Sequence, residues 1–107
     1  MLCALINGDV GWLMYLRGDG DAGFSSRNPD YRGDPSEIVE YLLNNGQMDE
    51  YPRAWAYPVQ TVERAINHFR ETRSPPLFIE WHNDSGDGRS VVQKPPRNPG
   101  RSGRVFE

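Results

Sequence analysis

The chain has 107 residues, one cysteine, 36% hydrophobic residues and a formal net charge of −3, which fits a single domain with one modest core and excludes an intrachain disulfide. Lys94, Arg97, Arg101 and Arg104 against Glu107 give residues 94–107 a net of +3, which leaves −6 on residues 1–93. An acidic body argues against nucleic acid as the main ligand, because phosphate contacts need a basic face; it suits a basic protein partner, although solubility alone accounts for moderate acidity equally well.

The amino terminus, MLCALINGDVG, has no basic leader region, and its apolar run is too short for a secretion signal. No segment approaches the length of a membrane span. With Cys3 as the single cysteine, a reducing, cytoplasmic setting is expected. Leu2 to Ile6 and Val10 to Leu16 read as two strands around Asn7-Gly8-Asp9. In the second, Trp12, Met14 and Leu16 share one face and Leu13 and Tyr15 the other, so both faces are apolar and a covered, central strand is expected. Arg17 to Asp34 is a long loop rich in Gly, Asp, Ser and Pro, with a short edge strand near Phe24 to Ser26.

Asp34 to Gly46 carries two patterns. Asp34 at an N-cap, Pro35, Glu37 and a closing Gly46 spell a helix with Ile38, Tyr41 and Leu42 as its stripe. Asn45-Gly46 between YLLN and QMDEYP spells a tight hairpin, with both turn residues at positive φ. In that hairpin Val39, Tyr41 and Leu43 line one face and Met48 returns opposite Leu43. Pattern alone leaves the two level. Pro52 to Pro58 is a turn segment bearing Trp55 and Tyr57.

Val59, Val62, Ala65, Ile66 and Phe69 then fall on one face at helical spacing, with Glu63, Arg64, Asn67, Arg70 and Glu71 opposite. Ser74-Pro75-Pro76 ends this helix. Leu77 to Trp81 reads as a strand, Asn83 to Arg89 as a polar loop, and Val91-Val92 as a last short strand. Residues 94–107, KPPRNPGRSGRVFE, read as a basic, disordered tail. The sum is an α+β domain over residues 1–93: an antiparallel sheet of about five strands with one main amphipathic helix on one face.

The candidate sites are few. His82, Asp84 and Asp87 follow a strand end, where a metal-dependent hydrolase could hold its ion, but a polar turn explains them more simply. Asn83 to Gly88 fails as a calcium loop because Lys94 stands where a bidentate Glu is required. No serine lies in a Gly-x-Ser-x-Gly setting, and Gly18 to Gly23 do not open a helix. The basic tail is the one feature that suits a nucleic-acid-binding module. Trp55, flanked by Tyr51, Arg53 and Tyr57, has the composition of an interface anchor, or of a side chain packed over a sheet edge. The acidic pairs Asp19 with Asp21, Asp49 with Glu50, and Asp84 with Asp87 each read singly as a solvated turn.

The order GWLMYL at 11–16, NGQMDEYP at 45–52, an amphipathic helix, then EWHND at 80–84 resembles the type-one immunity-protein family of bacterial polymorphic toxin systems. The likeness spans roughly Val10 to Gly88, and many members carry further sequence before the first hairpin. It implies the hairpin around Asn45-Gly46 rather than the helix. It further implies a cytoplasmic protein that is not an enzyme, needs no cofactor, and neutralises a cognate toxin of deaminase fold by direct binding. Such toxins bind nucleic acid, and an acidic inhibitor would answer that basic surface. Asp49, Glu50, Tyr51, Trp55 and Asp84 are the expected toxin-facing residues, with no nucleic acid or membrane as partner.

Overall fold

A computed structural model describes residues 1–91. The order is β1 (Leu2–Asn7), β2 (Val10–Tyr15), β3 (Phe24–Arg27), β4 (Ile38–Leu42), β5 (Met48–Pro52), a 3₁₀ turn (Arg53–Trp55), β6 (Tyr57–Pro58), α1 (Val59–Thr72) and β7 (Glu80–Asn83). Five strands form one antiparallel sheet in the order β1-β2-β3-β7, with β6 also on β2; β4 and β5 form a separate two-stranded hairpin. The fold is therefore the expected α+β sheet with one main helix. The expected tail over 94–107 and Val92 of the expected last strand lie outside the described residues, and Val91 sits in a bend rather than a strand.

β1 and β2 pair from Leu2↔Tyr15 to Asn7↔Val10, which leaves Gly8-Asp9 as a two-residue loop. Gly8 has φ +63° and Asp9 does not share it, the pattern of a type II′ turn with Gly first. β2 is central, as its two apolar faces predict. Its far edge is shared: β6 pairs at Val10 and Gly11, β3 at Met14 and Tyr15. In the gap the Ser26 hydroxyl accepts the Leu13 N–H at 3.1 Å and donates to the Trp55 carbonyl at 3.0 Å.

That bridging corrects the expectation of an edge strand at Phe24 to Ser26. β3 lies inside the sheet, between β2 and β7. Its serines are fully buried because both hydroxyls are bonded, Ser25 Oγ donating to Asp84 at 2.6 Å. The last strand is also displaced. It begins at Glu80 rather than Leu77, and Leu77 and Phe78 are exposed in a turn. Pro75 and Pro76 cannot donate to a ladder, and the Pro76 carbonyl is taken by the Trp81 indole N–H at 2.9 Å.

α1 lies on the face of Leu13. Leu13, Tyr57, Val62, Ala65 and Ile79 make one core, with Leu2, Ala4, Ile66 and Trp81 packed around it. Full burial of Leu13, Val62 and Ile79 contributes roughly 1.5–3 kcal/mol each. Gly11 lets the helix come close: a Cβ there would lie 3.0 Å from Val62 Cγ2 and from the Leu5 carbonyl oxygen. α1 ends on Arg73, whose φ is +59° and whose N–H caps the Phe69 carbonyl.

The hairpin covers the opposite face. Trp12, Val39 and Tyr41 form a second core with Leu5, Val10, Met14, Tyr51 and Trp55. Neighbours along a strand point to opposite faces, so Leu13 looks to the helix and Trp12 to the hairpin. Residues 34–37 turn instead of winding: Asp34 Oδ1 accepts the Ser36 N–H at 2.9 Å and the Asp34 carbonyl accepts the Glu37 N–H at 3.1 Å. The hairpin register differs from the expected one by a residue. Met48 stands opposite Leu42, not Leu43. The Leu43 N–H bonds the Gln47 carbonyl, the Gly46 N–H bonds the Leu43 carbonyl, and only Gly46 has positive φ, +87°. This is a three-residue loop closed by a left-handed glycine rather than a two-residue primed turn. Asn45 bonds the Gln47 N–H through its side chain at 2.9 Å, so it stabilises the loop without adopting positive φ.

Candidate functional site

Alternation along β5 splits the expected interface residues. Asp49 and Tyr51 lie on the inward side with Tyr41 and Val39, their cross-strand partners. Glu50 lies on the outer side, opposite Glu40. Tyr51 stacks on Trp12 with centroids 4.0 Å apart, and Trp55 joins them at 6.2 Å from Tyr51 and 6.5 Å from Trp12. The Tyr51 hydroxyl reaches Asp49 at 3.3 Å. Partial burial, then the Asp49 charge, raise the Tyr51 pKa above its ordinary value.

Arg27 extends this aromatic row toward Asp84. Its guanidinium lies 3.6 Å from the Trp55 ring centroid and 3.8 Å from Asp84. Burial lowers its pKa and Asp84 opposes that shift. Ser25 accepts from Arg27 at 2.8 Å and donates to Asp84. Asp49, Tyr51, Trp55 and Asp84 are thus linked in one row through Arg27. No sequence pattern marks Arg27 for this; the β3–β7 pairing brings it there.

His82 approaches Asp84 at 3.6 Å, but Asp87 is occupied elsewhere. Arg17 holds Asp21 through two guanidinium bonds at 2.8 Å and Asp87 through a third at 2.7 Å. Hydrogen bonds from the Arg17 side chain and backbone hold the Asp21 carboxyl far below the usual carboxylate range; those from Arg89, Asn83 and Arg17 do so for Asp87. Arg17 therefore ties the 84–88 loop to the end of β2. Among the described residues no three His, Cys, Asp or Glu side chains gather as metal ligands would. A cleft of about 630 Å³ lies at the end of α1, walled by Tyr15, His68, Leu77 and Phe78 with Arg17 and Arg73; none of the five expected interface residues lines it.

Residues 2–83 match the family profile of Immunity protein Imm1. The chain belongs to the Imm1 immunity protein family. No curated protein and no solved structure matches it. The Imm1 match takes in both cores, the whole hairpin, and Asp49, Glu50, Tyr51 and Trp55; Asp84 falls one residue beyond it. Membership of this family implies a cognate toxin as partner. No helix among the described residues is long and apolar enough to cross a membrane.

Proposed function

We propose that this Imm1 protein binds and neutralises a cognate toxin of deaminase fold in the cytoplasm of the bacterium that makes both. It does so as a stoichiometric inhibitor, not as an enzyme, by covering the toxin's active site or nucleic-acid-binding face. The observation that carries this reading is the family match over residues 2–83. The acidic body supports it: a net of −6 over residues 1–93 steers toward a basic surface and repels nucleic acid. Asp49, Tyr51, Trp55 and Asp84, joined through Arg27, and Glu50 on the outer hairpin face are the proposed toxin-facing residues. The inner row offers aromatic faces and a guanidinium, the residue types that dominate interface energetics.

The test is co-expression with the toxin encoded in the adjacent reading frame. Growth is rescued and the two proteins elute as one complex from a sizing column. A toxin that still kills, with no complex formed, refutes the reading.

A further inference from the structure

The outer face of the hairpin is unusual for a surface. Three of its residues are large, apolar and open: Ile38 at 49% exposure, Leu42 at 67% and Met48 at 52%. The register pairs them end to end, Ile38↔Pro52, Glu40↔Glu50 and Leu42↔Met48. The face therefore reads apolar, acidic, apolar. Backbone bonds at Leu43–Gln47 and Glu37–Arg53 fix the alternation of the ladder, and all three outward pairs fall at non-hydrogen-bonded positions. Pro52 is tolerated there because its ladder position needs no N–H. At such positions Cα atoms approach to about 4.5 Å and side chains are closest. Two carboxylates thus stand side by side, and neither side chain has an ion pair or hydrogen bond among the described residues. Like charges directly opposite weaken a hairpin. Exposed apolar pairs on both sides weaken solubility. Neither is explained by folding.

We infer that this strip, Ile38, Glu40, Leu42, Met48, Glu50 and Pro52, is a docking face for a toxin segment that presents one arginine or lysine between apolar side chains. The inference rests on the immunity reading and names the part of the surface that carries recognition. One cation placed between Glu40 and Glu50 removes their repulsion and gains two charge-assisted bonds. The flanking apolar pairs exclude water from that contact, as a ring of near-neutral residues does around an interface anchor. A second copy of this chain does not fit: two-fold pairing of the strip on itself would bring four carboxylates together. Nucleic acid and anionic lipid are repelled for the same reason. Three residue pairs span roughly 14 Å along a ribbon two strands, or about 10 Å, wide, on the order of 140 Å² and well short of the ~800 Å² a stable partner needs per side. The strip is therefore the centre of a larger interface, and the inner aromatic row lies along the same strand.

The test measures affinity for the purified adjacent-frame toxin, and melting temperature, on full-length variants. Glu40→Gln with Glu50→Gln should weaken binding roughly 30-fold or more, the scale for removing one partner of a buried charge pair, while the melting temperature rises. Leu42→Ser with Met48→Ser should weaken binding about tenfold with the melting temperature unchanged. Glu63→Gln with Glu71→Gln, on the exposed side of α1, should bind as wild type. If wild type binds and both hairpin doubles bind within about twofold of it, the strip is not the docking face. A wild-type protein that fails to bind the toxin at all refutes the immunity reading itself. A concentration-dependent dimer of the chain alone that the glutamate double abolishes overturns the toxin as occupant.

Discussion

Tyr51 is the residue on which the two halves of the fold meet, and Tyr51→Ala should show it. Its ring stacks on Trp12 at 4.0 Å and closes the second core beside Val39 and Tyr41. Truncating a fully buried large aromatic costs about 3–5 kcal/mol. Tyr51 is half-buried, so roughly half of that applies, and the lost stack adds about 0.5–1.5 kcal/mol. The sum is about 2–4 kcal/mol, a large part of the ~5–15 kcal/mol that holds a domain. For a chain of this size it lowers the melting temperature by on the order of 10–30 °C. Tyr51→Phe keeps the stack and loses only a 3.3 Å hydroxyl contact to Asp49, so it should stay within about 0.5 kcal/mol of wild type. Thermal unfolding followed by circular dichroism reads both. A Tyr51→Ala protein that melts within about 5 °C of wild type would mean that the hairpin is not held by this layer, and the two-core account would be wrong. The pair of variants also separates roles at the interface: a Tyr51→Phe protein should neutralise toxin as wild type does.

Three further outcomes follow from the same geometry. Gly23→Ala should cost about 2–5 kcal/mol, since φ is +74° and the new Cβ would lie 2.4 Å from the Tyr15 carbonyl oxygen; Gly46→Ala, at φ +87° in open space, should cost only about 1–2 kcal/mol, and denaturant midpoints compare them. Asp21 has a folded pKa well below its ordinary 3.8, so its bond to Arg17 stabilises the protein above that value and is lost as pH falls through and beneath it. Asp21→Asn should therefore lower the urea midpoint at pH 7, with the gap to wild type narrowing steadily in acid; a gap independent of pH would contradict that origin. Glu40→Gln with Glu50→Gln should raise the melting temperature by about 1–6 °C, the relief of roughly 0.2–1 kcal/mol of cross-strand repulsion.

Much of the fold was legible because its signals were local. Two apolar faces on β2 announced a covered strand, and 3.6-residue spacing with a proline stop announced α1. The segment from 34 to 46 was not legible from pattern, because Asp34-Pro35 writes a helix start while Asn45-Gly46 writes a turn. The Asp34 side chain closes a short turn instead, and the inward burial of Val39 and Tyr41 on Trp12 decides for strand. β3 was misplaced at the edge because a strand containing Ser25 and Ser26 looks half-polar; only the bonds to Leu13, Trp55 and Asp84 make their burial affordable. The register missed by one residue because Gly46 alone takes positive φ. That slip hides the site. With Met48 opposite Leu43 it would face inward; once Leu42 faces Met48, Met48 and Glu50 turn outward beside Leu42 and Glu40. The links made by Arg27 and Arg17 across the fold were invisible for a different reason: Asp84 lies 57 positions from Arg27, and Asp87, the second partner of Arg17 after Asp21, lies 70 positions away.

The proposed activity is direct neutralisation of a deaminase-fold toxin. Its most direct measurement is the toxin's deamination rate on its nucleic-acid substrate as the purified chain is titrated in. Activity should fall linearly to zero at one equivalent. Activity that persists unchanged in large excess of the chain would contradict it.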